Sequence, residues 1–185
     1  MSGGDERADH HHVVIALGAN LGDSVVALRA AVESLAAHES TEVIAVSHAY
    51  ATAPVGGREQ PDYVNAVAVI RTGLAPLDVL ALAHQIEAAH DRVRTERWGP
   101  RTLDIDVIAY DDLASDDSTL TLPHPRAHQR AFVLLPWSEI EPGAVLPGHG
   151  AISDLLTGVS DQRIKRLDAD VSDSLAVAPP SERSR

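Results

Sequence analysis

Residues 92–107 read RVRTERWGPRTLDIDV, and the change of pattern inside this stretch decides how the rest of the chain is read. Arg92, Arg94, Arg97 and Arg101 fall within ten residues of a chain whose formal net charge is −12, so cationic charge is concentrated against the overall balance. A planar guanidinium presents donor forks that fit phosphate oxygens. From Leu103 the pattern becomes Leu103-Asp104-Ile105-Asp106-Val107, a strict apolar and acidic alternation. As a strand it turns the apolar side chains to one face and both carboxylates to the other. Residues two apart on a strand lie about 7 Å apart, so the pair can share one or two divalent cations. Two carboxylates with no nearby lysine otherwise repel each other. An anion-binding loop joined to a cation-binding strand describes a Mg-nucleotide site. The plainer alternative is a solvated loop ahead of an edge strand with its polar face in water, which is how most lone D-x-D matches arise. The Arg cluster and the Trp98-Gly99-Pro100 turn favour the site.

The bulk properties narrow the classes. A chain of 185 residues suits one domain with a full core. It contains no apolar run of about 18 residues and no basic-then-apolar leader, so neither a membrane span nor a secretory signal is expected. There is no cysteine, which excludes disulfides and thiolate metal sites and fits a cytoplasmic location. The acidic balance argues against nonspecific binding to nucleic acid or to anionic membranes. Lys165 is the only lysine and no G-x-x-x-x-G-K-[ST] occurs, so a P-loop is ruled out and arginine must handle phosphate.

Working outward, residues 1–12 form a polar leader whose Asp9-His10-His11-His12 run is set aside from the site. Val13 to Leu17 has strand length and ends in the turn Gly18-Ala19-Asn20-Leu21-Gly22-Asp23. Asp23 or Ser24 then caps a helix with apolar positions Val25, Leu28, Val32 and Leu35. Glu42 to Tyr50 and Tyr63 to Arg71 are the second and third strands, joined by a Pro/Gly-rich loop that is either a lid or an ordinary connection. Gly73 to His90 is a helix with Pro76 in its first turn, a core stripe of Val79, Leu82, Ile86 and Ala89, and a polar face carrying His84, Glu87 and Asp91. Leu103 to Tyr110 is the fourth strand. The acidic run 111–118 is read as solvated loop, Thr119 to Leu122 as a short strand, and Ile152 to Val159 as a short helix. A structured unit over 13–167 and a disordered tail over 168–185 follow. Strand, helix, two strands, helix, strand is the order of a ferredoxin-like α+β sandwich with an antiparallel sheet, here with extra C-terminal elements.

The segment R-W-G-P-R-T-L-D-x-D closely resembles the signature of 6-hydroxymethyl-7,8-dihydropterin pyrophosphokinases, folate-pathway enzymes that move a pyrophosphoryl group from ATP to a pterin alcohol. GANLGD, T-x-P-x-G followed by Q-P-D-Y-x-N, P-H-P-R and R-x-F-V-L-x-P are similar to further elements of that family, over about Val13 to Pro147. Trp137 stands where the family's last motif ends in an aliphatic residue. The resemblance implies the same fold, two Mg²⁺ on Asp104 and Asp106, and Arg92, Arg94, Arg97 and Arg101 neutralising the transferred group. It implies a pterin site of Thr52, Pro54, Val55, Tyr63, Asn65, Trp98 and Phe132. It further implies ATP contacts from His84, Glu87, Arg94, Arg97, Trp98, Arg101, Thr121, His124 and Arg130, although family members commonly carry Gln where His84 stands. A bifunctional fusion or association with a neighbouring folate-pathway enzyme is compatible with the polar leader and tail. Two rivals belong to other classes. A D-x-D glycosyltransferase would need a larger nucleotide-sugar domain, and a non-catalytic binding module would have no use for paired carboxylates beside an Arg cluster.

Overall fold

The computed structural model describes residues 10–53, 61–90 and 102–172. Its centre is β1 (His11–Ala19), where the run Val13 to Leu17 is buried on both faces. Helix α1 (Ser24–Ala36) follows, and the cap is Asp23, whose Oδ1 accepts the Val26 N–H at 3.1 Å. Leu28, Val32 and Leu35 are buried, as the helical spacing requires, and Val25 packs partly against them.

The expected strand Glu42 to Tyr50 is two strands, β2 (Thr41–Val46) and β3 (His48–Thr52), interrupted at Ser47. The Ser47 N–H donates to Val67 O at 2.9 Å, and its hydroxyl oxygen accepts the Val67 N–H at 3.0 Å while donating to His48 O at 2.8 Å. The side chain thus replaces a missing backbone acceptor, so the break leaves no buried donor unpaired. Both strands lie along β4 (Tyr63–Thr72).

Helix α2 (Pro76–Ala89) begins three residues later than expected because Ala75, ahead of Pro76, is extended rather than helical; Leu74 O accepts the Tyr110 hydroxyl at 2.9 Å. Val79, Leu82 and Ile86 are buried, but Ala89 is exposed and Glu87 is only 2% exposed, so the stripe includes a carboxylate that periodicity placed on the polar face. Next come β5 (Asp104–Tyr110) and a small hairpin of β6 (Ser115–Asp116) and β7 (Thr121–Leu122). One arm of that hairpin is therefore drawn from the acidic run read as loop. Helix α3 (Ala131–Ile140) occupies residues to which sequence patterning assigned no element, and it contains Phe132 and Pro136. A second hairpin, β8 (Val145–Leu146) and β9 (Gly150–Ala151), leads into α4 (Ile152–Thr157) and β10 (Ile164–Asp170). Strand β10 runs three residues past the Leu167 boundary, because it pairs with the edge of β3, and β1 starts two residues before Val13.

The sheet order is β10-β3-β4-β1-β5 with β2 also on β4, and every pairing is antiparallel. This is the expected ferredoxin-like arrangement. Alternate residues feed two cores. Ile15, Leu17, Ala68, Ile105 and Val107 pack with α1 and α2, whereas Val14, Ala16, Val67 and Val69 pack with α3 and α4. The second face is therefore covered as well, by the C-terminal elements. A register shift at Val14/Ile15 lets Ile108 and Ala109 both join the second core while Tyr110 returns to the first.

Candidate active site

Asp104 and Asp106 alternate with buried Ile105 and Val107 along β5, so both carboxylates lie on the α3 side of the sheet and remain partly exposed. The strand pairing sets their neighbours. Asp106 is opposite Ala16, Asp104 is opposite Gly18, and Gly18 is opposite Asn65 on β4. Asn65 is in turn opposite Tyr50. One row across the sheet thus joins an amide to a carboxylate through a residue with no side chain.

Two further groups converge on Asp106. Arg130 Nη1 lies 3.7 Å and His124 Nε2 4.0 Å from its Oδ2. His124 is anchored to the edge of β5 by its N–H, which donates to Ile108 O at 2.8 Å, and its Nδ1 accepts the Arg126 N–H at 3.1 Å. That bond leaves the ring proton on Nε2, facing the carboxylate. Burial holds the His124 pKa below its ordinary value; Asp106 pulls it up and Arg130 pushes it further down. The ring is neutral near pH 7 while able to donate. Arg130 precedes α3, and its guanidinium carbon lies 5.3 Å from the centre of the Phe132 ring, within cation–π range.

His84, Glu87, Thr121 and His124 line one cavity of about 240 Å³ together with Asp104 and Asp106. Glu87 has a role that its motif did not reveal. Its Oε1 accepts the N–H of Ile105 at 2.8 Å, the backbone donor between the two aspartates. A buried carboxylate thereby fixes the strand that presents them. Among the described residues, no group of three His, Cys, Asp or Glu could hold a metal. The two carboxylates still fit Mg²⁺, which commonly takes one or two carboxylates and completes its shell with substrate phosphates and water.

Of the expected pterin residues that are described, Thr52, Tyr63 and Asn65 are neighbours on β3 and β4. Asn65 is buried, and its Nδ2 donates to Thr52 Oγ1 at 3.0 Å. Tyr63 pairs with Thr52 and shares the parity of Asn65, and Phe132 packs in the core on the same side of the sheet. Pro54, Val55, Asp91, Arg92, Arg94, Arg97, Trp98 and Arg101 lie outside the described residues.

Patterning missed two positioning residues. Buried Asn20 reaches Pro61 O at 3.4 Å and ties the turn after β1 to the segment entering Tyr63. Gln162 accepts the Ala131 N–H at 2.9 Å and donates to Gln129 O at 2.8 Å, which holds the start of α3 beside Arg130. The turn at Gly18 to Asp23 signalled the first. Nothing local to Gln162 could signal the second.

The family model for 7,8-dihydro-6-hydroxymethylpterin-pyrophosphokinase matches residues 14–142. The chain belongs to this family. It is 40% identical over 154 residues to the 2-amino-4-hydroxy-6-hydroxymethyldihydropteridine pyrophosphokinase of Haemophilus influenzae, covering 83% of this chain and 96% of that one. The enzyme of the same name from Methylorubrum extorquens is 42% identical, with 83% and 97% covered. The bifunctional protein FolKE of Lactococcus lactis is 40% identical over 126 residues, 68% of this chain and 36% of that protein. Among solved structures, Plasmodium falciparum HPPK-DHPS A437G with pteroate superposes with a TM-score of 0.65 at 14% identity, over 87% of this chain and 47% of that one. That likeness establishes the shared fold. The relatives thus include proteins that this chain spans almost completely and a bifunctional one of which it spans about a third.

Proposed function

We propose that the chain transfers the pyrophosphoryl group of ATP to the hydroxymethyl oxygen of 6-hydroxymethyl-7,8-dihydropterin, releasing AMP. The observation that carries this reading is the placement of Asp104 and Asp106 on the same sheet face as Asn65, with His124 and Arg130 beside Asp106. An ATP phosphate chain held at the carboxylate end leaves a heterocycle bound at Asn65 within reach of the β-phosphorus.

Each residue has a defined task. Asn65, oriented by Thr52, reads the hydrogen-bonding edge of the pterin, and Tyr63 and Phe132 supply flat apolar surface. His124 donates Nε2–H to a phosphate oxygen, and Arg130 adds a fixed positive charge that favours the charge distribution of the transition state. Arg92, Arg94, Arg97 and Arg101 complete the anion-binding set, with Trp98 among the contacts to both substrates. Glu87 keeps β5 in register with the substrates. When bound between Asp104 and Asp106, two Mg²⁺ would reduce repulsion against the attacking oxygen and help ionise the hydroxyl. No described helix is long and apolar enough to cross a membrane. Cytoplasmic operation, in a unit spanning about residues 13–167 and next to another folate-pathway enzyme, completes the reading.

The test is AMP formation from ATP with the purified chain, Mg²⁺ and the pterin alcohol, against controls lacking either. AMP that requires all components is the expected result. ADP would mean transfer of the γ-phosphoryl group instead, and Mg-dependent ATP binding without any product would favour a binding module.

A further inference from the structure

We infer that Gly18 is a positioning and specificity residue for the heterocycle, an inference that rests on the pterin reading above. Gly18 lies in β1 with no left-handed φ, so the backbone does not require glycine there. A glycine inside a strand costs stability in both entropy and lost packing, and it commonly marks a place where something must approach the backbone closely.

Two observations identify what approaches. Every residue from Val13 to Asn20 is buried except Gly18, which remains partly exposed in the middle of a covered strand. A Cβ built on Gly18 would also sit 3.3 Å from Asn65 Oδ1, closer than ordinary contact, on the face that carries Asp104. Asn65 has little freedom to yield because its Nδ2 is engaged by Thr52 Oγ1. A methyl group would therefore shift the amide that reads the heterocycle. Two strand spacings separate Asn65 from Asp104, roughly 10 Å. This interval suits a bicyclic heterocycle at the amide with its hydroxymethyl arm directed toward the carboxylates. Gly18 leaves the Asn65 amide undisturbed at the end of that interval.

The experiment compares wild type with Gly18→Ala in binding of 6-hydroxymethylpterin, binding of a non-hydrolysable ATP analogue with Mg²⁺, and steady-state kinetics. The expected result is a KM for the pterin raised about tenfold or more, the order reached by one misplaced methylene in a fitted pocket. Affinity for the ATP analogue should stay within about twofold, since its contacts are on other residues. In an Asn65→Ala background the same substitution should add little, because the group it displaces is gone. Unchanged pterin affinity in Gly18→Ala would overturn the inference. Equal losses for both ligands, or a full penalty persisting without the Asn65 amide, would do so as well. A wild-type chain that binds no pterin would instead remove the functional reading on which the inference stands.

Discussion

The two ends of the α3 face of the sheet use the same residue types to opposite effect. At the start of β1, His12 Nε2 meets Glu141 Oε1 at 2.7 Å, and the buried Trp137 donates its indole N–H to Glu141 Oε2 at 2.8 Å. Both oxygens of that carboxylate are engaged by protein. Four residues along β1, about 13 Å away, Asp106 stands opposite Ala16 with His124 at 4.0 Å and Arg130 at 3.7 Å, and its side chain keeps 40% of its exposure. The hydrogen bond to Glu141 raises the His12 pKa, whereas burial lowers that of His124. A carboxylate enclosed by donors contributes to stability. Asp106, beside one guanidinium and a neutral imidazole, retains surface for a ligand.

The sharpest way to break this comparison is to remove one carboxylate from each end. Asp106→Ala should reduce turnover by about a thousandfold or more, the scale of losing a metal ligand or a main electrostatic stabiliser, with the melting temperature little changed. AMP assays paired with thermal melts check this, and near-normal turnover would refute the role given to Asp106. Glu141→Ala should do the reverse. It strands the Trp137 indole N–H in a side chain only 2% exposed, at a cost of about 1–3 kcal/mol. For a chain of this size that lowers Tm by roughly 2–10 °C, while kcat should stay within about twofold. A large loss of activity without a loss of stability would show that the two ends are coupled rather than separate.

The smallest effect concerns pH. The His12 pKa is raised above 6.5 in the folded chain by Glu141 and Asp111, so its contribution is fully present below that value. It is lost as pH rises through the higher folded value, where the ring deprotonates. Stability of wild type relative to His12→Gln should therefore shrink on going from pH 6 to pH 9, by about 0.2–1 kcal/mol for a pair this exposed. Denaturant melts at the two pH values measure it. A difference that grows with pH would contradict the His12–Glu141 ion pair.

Sequence legibility followed the range of the interactions. The alternation at Leu103 to Val107 correctly separated buried from exposed residues, and Val25, Leu28, Val32 and Leu35 correctly marked one face of α1. Both patterns depend on local geometry. Glu87 was recognised by motif yet placed on a polar face, because its partner, the Ile105 N–H, is a backbone group on another element. Ser47 could not signal the interruption between β2 and β3, since the signal is its bond to Val67 across the strand pair. Helix α3 was missed because Pro136 and an almost wholly apolar run hide any periodicity. Trp137 departs from the aliphatic residue expected there, and Glu141 one turn later supplies the partner that its indole N–H needs.

The parity of β5, the core face of α1 and the placing of the D-x-D pair on one strand face were determined by the sequence alone, because each is set within a few residues of chain by the geometry of the backbone. Only the tertiary structure decided that Gly18 separates Asn65 from Asp104, that His124 and Arg130 meet at Asp106, and that Glu141 closes on His12. Those meetings depend on sheet register and on where α3 docks. Both are chosen by the burial of two whole sheet faces at once.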